Sequence, residues 1–217
     1  MTANPQNGPA EAIAGKSISV KVFGVGGAGI NVMAPLLKNA GPGTPDLFGG
    51  GPLNAVVPGT GFVSVDTDAR SLAASSAPEK VHLEAQILRG LGTGSDPDRG
   101  RALAEEQYAK LKQLCAGADV VFILAGLGGG AGTGISPVLA RAAKETGALV
   151  LGVVTMPFDC EGSRRQFLAQ EGLAHLKSAA DGVICLPNQK VFKLIDENTS
   201  VLETFKLTND FLATGVH

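Results

Sequence analysis

Short apolar runs recur along this chain, and each is cut off by glycines or by a polar cluster. Ser17 to Phe23 alternates apolar and polar positions and predicts a first strand. Phe62 to Val65, Lys80 to Leu83 and Val120 to Leu124 predict three more. Ala148 to Met156 is almost continuously apolar, as expected of a strand buried on both faces of a parallel sheet, and Gly182 to Leu186 adds another. Helical runs fall between them: Ile30 to Lys38, Ala69 to Ala74, Asp98 to Ala116, Pro137 to Lys144, Gln166 to Ala179 and Val191 to Ile195. In the long one, Leu103, Leu111, Leu114 and Cys115 gather near one face. Ser200 opens a final helix. Strands and helices alternate, which predicts an α/β fold: a doubly wound parallel sheet with helices on both faces. Ligands of such sheets bind beyond the carboxyl ends of the strands.

Glycine clusters stand at those ends. Gly24-Val25-Gly26-Gly27-Ala28-Gly29 follows the first strand and satisfies G-x-G-x-x-G, a weak signal alone. Gly90 to Pro97 is a second cluster. Ala125-Gly126-Leu127-Gly128-Gly129-Gly130-Ala131-Gly132-Thr133-Gly134 is the densest, between a buried strand and a helical run. Strand, glycine loop and helix bring backbone N–H groups and a helix N-terminus up to a phosphate. Three such loops on one rim predict a polyphosphate ligand. G-x-x-x-x-G-K-[ST] is absent and the central loop has no lysine. The phosphates would therefore rely on amide dipoles, a helix N-terminus and Mg²⁺.

Composition narrows the class. A net charge of −2 over 217 residues gives no basic surface for nucleic acid. No apolar run is long enough to span a bilayer, so direct membrane insertion is not expected. Residues 1–16 read as a disordered tail, and 17–217 as one nucleotide-binding domain. Asn39 to Gly61 is Gly- and Pro-rich and reads as a long loop, floppy or functional. Cys115, Cys160 and Cys185 are scattered, which suits a reducing cytoplasm. His82, His175 and His217 are scattered too, so neither a metal site nor a Ser-His-Asp triad is indicated. Asp66 and Asp68, after the second strand, can cap the next helix or serve Mg²⁺ or the ligand.

In order along the chain, these motifs resemble the tubulin/FtsZ superfamily, most closely bacterial FtsZ. Gly128 to Gly134 is similar to its G-G-G-T-G-T-G signature, with Ala131 in place of the first threonine. The similarity includes Gly24 to Asn31, Asp66 to Ala69, Gly92 to Pro97 and Pro157 to Gly162, then Arg165, Pro187-Asn188, Phe205 and Asn209-Asp210. It implies a GTP/GDP-binding domain, with roles at matching positions. Gly26, Gly27, Ala28 and Gly29 would meet the α- and β-phosphates, with Asn31 nearby. Gly94 and Ser95 would lie by the γ-phosphate. Gly129, Gly130, Ala131, Gly132, Thr133 and Gly134 would form the central cradle. Glu161 and Arg165 would lie near ribose and phosphates. Asn188 and Asp210 would hydrogen-bond guanine, and Phe205 would stack on it. A carboxylate at Asp210 can accept from both N1–H and N2–H₂ of guanine, a pattern adenine lacks.

The resemblance further implies a cytoplasmic, filament-forming GTPase of bacterial cell division or membrane remodelling. The filament would be a head-to-tail homo-oligomer, with membrane-tethering adaptor proteins as further partners. Two departures modify this. Ala131 lacks a hydroxyl, which predicts binding weaker by roughly 0.5–1.5 kcal/mol. Family members also continue into an acidic loop that completes the next subunit's site, and then into a second domain. This sequence stops short of both, so no catalytic residue is assigned. It reads as an excised domain, an incomplete sequence or a short paralogue. The competing functions are a GTP-sensing interaction module with little turnover and, more remotely, an NAD(P)-dependent oxidoreductase. The latter predicts an acidic residue about 20 positions past the first glycines, where a Gly/Pro loop lies instead.

Overall fold

A computed structural model describes residues 18–39, 60–84 and 92–191. The tail, most of the Asn39–Gly61 segment, and the final helix with Phe205 and Asp210 lie outside the described residues.

The strands are β1 (Val20–Val25), β2 (Gly61–Asp66), β3 (Glu79–His82), β4 (Val120–Gly126), β5 (Leu149–Met156) and β6 (Gly182–Pro187). They form one six-stranded sheet in the order β3-β2-β1-β4-β5-β6. Every neighbouring pair is parallel, with Val25 opposite both Val65 and Ala125. This is the doubly wound order, with the switch point between β1 and β4.

The two-residue repeat of a strand sorts its side chains between two cores. Phe23, Val25, Val121, Ile123 and Val154 face the core shared with the helices that follow β3, β4 and β5. Val20, Val22, Leu124 and Val153 face Val32, Met33 and Leu36 of α1 (Gly26–Asn39). The remaining helices are α2 (Ala69–Ala74), α3 (Pro97–Glu106), α4 (Tyr108–Cys115), α5 (Gly130–Lys144), α6 (Ser163–Ala179) and α7 (Asn188–Val191).

Four sequence expectations need correction. The helix expected over Asp98–Ala116 is two helices, α3 and α4, broken at Gln107 (φ −104°, ψ 24°). Neither glycine nor proline marks the break, and Leu103 and Leu111 on either side enter one core, so periodicity runs through it. The helix expected from Pro137 starts at Gly130 and passes through that proline. The helix expected from Gln166 starts at Ser163, after a short 3₁₀ turn at Asp159–Glu161, so Arg165 is helical. The short helix expected from Val191 already begins at Asn188, directly after β6.

The second correction changes what the glycines mean. Gly130, Gly132 and Gly134 are helical, so turn freedom does not explain them. A Cβ on Gly134 would overlap the Pro97 carbonyl of α3, and one on Gly132 the Gly126 carbonyl of β4. A Cβ on Gly130 would overlap the Thr93 hydroxyl. Conversely, a Cβ on Gly100 of α3 would lie 2.5 Å from the Gly130 carbonyl oxygen. Glycine is required there because three backbones meet at the start of α5.

Candidate functional site

A cavity of about 570 Å³ opens at the carboxyl ends of the strands. The junction of β1 with α1 and the turn after β4 form its centre. α1 follows β1 without an intervening residue, through Gly26 at φ +69°. A Cβ at Gly26 would sit 3.0 Å from the Gly132 nitrogen, so the first turns of α1 and α5 lie back to back. Gly129 is the N-cap of α5 and offers no side-chain hydrogen bond. The first amides of this 15-residue helix are thus left for a ligand. Both helix N-termini carry partial positive charge toward the cavity.

The turn before α5 is held by its own contacts. Leu127 N–H donates to the Thr155 carbonyl at 2.9 Å, and Gly128 N–H to Thr133 Oγ1 at 2.8 Å. Gly128 has φ +96°, and a Cβ there would lie 2.9 Å from the Arg165 carbonyl oxygen.

One flank of the cavity is acidic. Asp66 ends β2 and is 3% exposed. Its Oδ1 accepts from the amides of Thr67 (2.7 Å) and Asp68 (3.2 Å). Burial nevertheless raises its pKa above the usual carboxylate value. Asp68 caps α2 by accepting from Arg70 N–H at 2.9 Å, and it also lines the cavity with Thr67 and Ser71. Beside it runs the loop 92–95, where Gly92 packs on Thr67 and Asp68, with φ of +66° at Gly92, +61° at Gly94 and +64° at Ser95. Left-handed backbone is uncommon for a residue other than glycine, so Ser95 is locally strained. Asp96 ends this loop by capping α3 (to Asp98 N–H, 3.0 Å), and Pro97 takes the first helical position.

The other flank carries Glu161, Arg165 and Asn188. The Glu161 carboxylate accepts from Phe158 N–H at 2.8 Å with one oxygen, and its other oxygen pairs with Arg165. Arg165 is the cationic side chain among the described lining residues. Asn188 is 6% exposed, and its Oδ1 finds no hydrogen-bond partner among the described residues. An orphaned buried acceptor of this kind is uncommon and points to a missing donor.

The sequence-assigned residues divide accordingly. Gly26, Gly27 and Ala28 line the cavity from α1. Gly94 and Ser95 line it from the loop before α3, and Gly129, Gly130, Ala131 and Gly132 from α5. Glu161, Arg165 and Asn188 complete the set. Gly29, Asn31, Thr133 and Gly134 are not on the wall. Gly29 packs against β4, where a Cβ would overlap the Leu124 carbonyl, and Asn31 is exposed on α1. Gly134 packs on α3, and Thr133 points away from the cavity. Residues missed as site candidates are Thr67, Ser71, Thr93 and Thr155. Isolated hydroxyls carry no sequence signal, although Thr67 and Thr155 stand at strand ends.

Described carboxylates thus sit beside two anion-attracting helix ends. Asp66 and Asp68 with nearby hydroxyls are hard oxygen donors suited to Mg²⁺ shared with phosphate oxygens. Among the described residues, no three His, Cys, Asp or Glu side chains are grouped closely enough to hold a metal by themselves.

The sheet order and the paired helix N-termini at the cavity define a doubly wound α/β domain with an anion-attracting rim. The sequence profile of the Tubulin/FtsZ family, GTPase domain, matches residues 19–196, and the chain belongs to that family. Among solved structures it is similar to an empty FtsZ dimer of M. jannaschii, with TM-score 0.81 and 34% identity over 94% of this chain and 55% of that one. It is also similar to the GTPγS-bound CetZ2 protofilament of Haloferax volcanii, with TM-score 0.75 and 25% identity over 92% of this chain and 57% of that one. CetZ1 from the same organism, a GDP-bound monomer at 21% identity and TM-score 0.74, shares the fold. The chain therefore spans a little over half the length of the structures it matches.

Proposed function

We propose that this domain binds GTP and GDP with Mg²⁺ and acts as the nucleotide-binding half of a cytoplasmic filament-forming GTPase. What carries the reading is the layout of the cavity along the sheet rim. Uncapped α5 amides stand at its centre, and the orphaned Asn188 carbonyl stands at one end. Asn188 follows β6, three strand spacings from β1, or about 14 Å. That distance suits a nucleoside diphosphate whose phosphates sit at β1 and β4 and whose base reaches β6. Asn188 Oδ1 would accept a guanine N–H, and Asp210 and Phe205 are proposed to join it at the base. Arg165 would contact ribose and phosphate, held in place by Glu161. The γ-phosphate would then fall near Gly94 and Ser95, with Mg²⁺ between it and Asp66 and Asp68.

Head-to-tail polymerisation, hydrolysis coupled to it and a role in division or membrane remodelling belong to the same proposal. The CetZ2 relative is a protofilament with bound GTPγS, which supports the polymerisation part of the proposal. A nicotinamide dinucleotide is the competing ligand. Asp66 does end β2, where dinucleotide-binding sheets hold the ribose with an acid. Both Asp66 backbone bonds come from its own loop, however, and a dinucleotide leaves the loop 92–95 without a role. Titration calorimetry with GTP, GDP, ATP and NAD in Mg²⁺ tests the proposal. Guanine-selective binding is expected. Preference for NAD, or equal binding of ATP and GTP, would sink it.

A further inference from the structure

We propose that Thr133 is a positioning residue that fixes the 127–129 turn from behind and couples it to α6. The proposal rests on the guanine-nucleotide reading of the cavity. Thr133 is 4% exposed and its hydroxyl does not line the cavity. Instead, Oγ1 accepts the buried Gly128 N–H at 2.8 Å. This contact turns one amide of the glycine run inward, and the following amides at the α5 N-terminus stay free for the ligand. On its other side Thr133 presents Cγ2 to α6. A Cβ on Gly172 would overlap that methyl group, so Gly172 is the gap in α6 that admits it. The same α6 carries Arg165, whose carbonyl closes over Gly128. Thr133 thus links the phosphate turn to the helix that supplies the cavity's cation.

Three substitutions separate acceptor, shape and packing. Thr133→Val keeps the shape and removes the acceptor, leaving Gly128 N–H buried and unpaired. Thr133→Ser keeps the acceptor and removes the methyl. Gly172→Ala pushes on Cγ2 without touching the cavity. GDP affinity with Mg²⁺ is measured by calorimetry, beside thermal melts and amide hydrogen exchange at Gly128 in ligand-free protein. Thr133→Val is expected to weaken GDP about tenfold and to speed exchange at Gly128, while Thr133→Ser restores most of the affinity. Gly172→Ala is expected to weaken GDP too, and the double substitution Gly172→Ala/Thr133→Ser to recover it, because serine has no Cγ2.

A purely structural threonine would lower the melting temperature without changing the affinity of the folded protein. That result overturns the proposal, as does equal weakening by Val and Ser. If the unsubstituted chain binds no guanine nucleotide, the proposed function fails. Exchange at Gly128 then decides the clamp alone, and unchanged exchange in Thr133→Val overturns it.

Discussion

Asn188→Leu should make the ligand-free protein more stable and a poorer nucleotide binder. Asn188 is 6% exposed, with Oδ1 unpartnered among the described residues. A buried acceptor without a donor costs about 1–3 kcal/mol. Leucine is close in volume and carries no such debt. For a chain of this size each kcal/mol moves the melting temperature by about 2–4 °C, so the ligand-free variant should melt about 2–12 °C higher. The same change removes one hydrogen bond to the base, worth about 0.5–1.5 kcal/mol, so GDP should bind about two- to tenfold more weakly. Calorimetric melts with and without GDP, and titrations with GDP and ATP, read both effects. The opposite signs are the diagnostic feature. A variant that melts lower in the free state and keeps its GDP affinity would refute the reasoning, because Asn188 would then be a satisfied structural residue.

Three further outcomes follow from the same geometry. Gly134→Ala drives a methyl into the Pro97 carbonyl, and the loss should be about 1–3 kcal/mol or more, read as a lower urea midpoint. Ala131→Thr restores a hydroxyl at the cavity wall and should tighten GDP about two- to tenfold by titration. Asp66→Asn should stabilise the ligand-free fold at neutral pH while reducing the Mg²⁺ dependence of nucleotide binding. The sign follows from the raised folded pKa of Asp66: the folded state pays to ionise it, a cost complete above the folded pKa and relieved as pH falls toward the unfolded value of about 3.8. The stability difference in urea titrations should therefore shrink from pH 7 toward pH 4.

Much of the site was legible because its motifs are local. Strand, glycine run and helix follow one another in sequence, so Gly26 to Ala28 and Gly129 to Gly132 could be placed on the rim from order alone. A capping signal was legible too: Asp68 starts a helix as its side chain requires. The break at Gln107 was not, because α3 and α4 feed one core and the apolar spacing hides the bend.

The sequence by itself determined the parallel α/β class, the approximate place of each strand and the family of the glycine motifs. These depend on alternation and local chemistry, which are written into neighbouring residues. Tertiary structure decided which glycines face a ligand and which face another backbone. Gly132 and Gly134 share one motif and one helix, yet Gly132 lines the cavity while Gly134 packs on α3. It also turned Thr133 away from the cavity and left Asn188 Oδ1 without a partner among the described residues. Both outcomes depend on what lies across the space between elements distant in the chain, and a linear pattern carries no record of that distance.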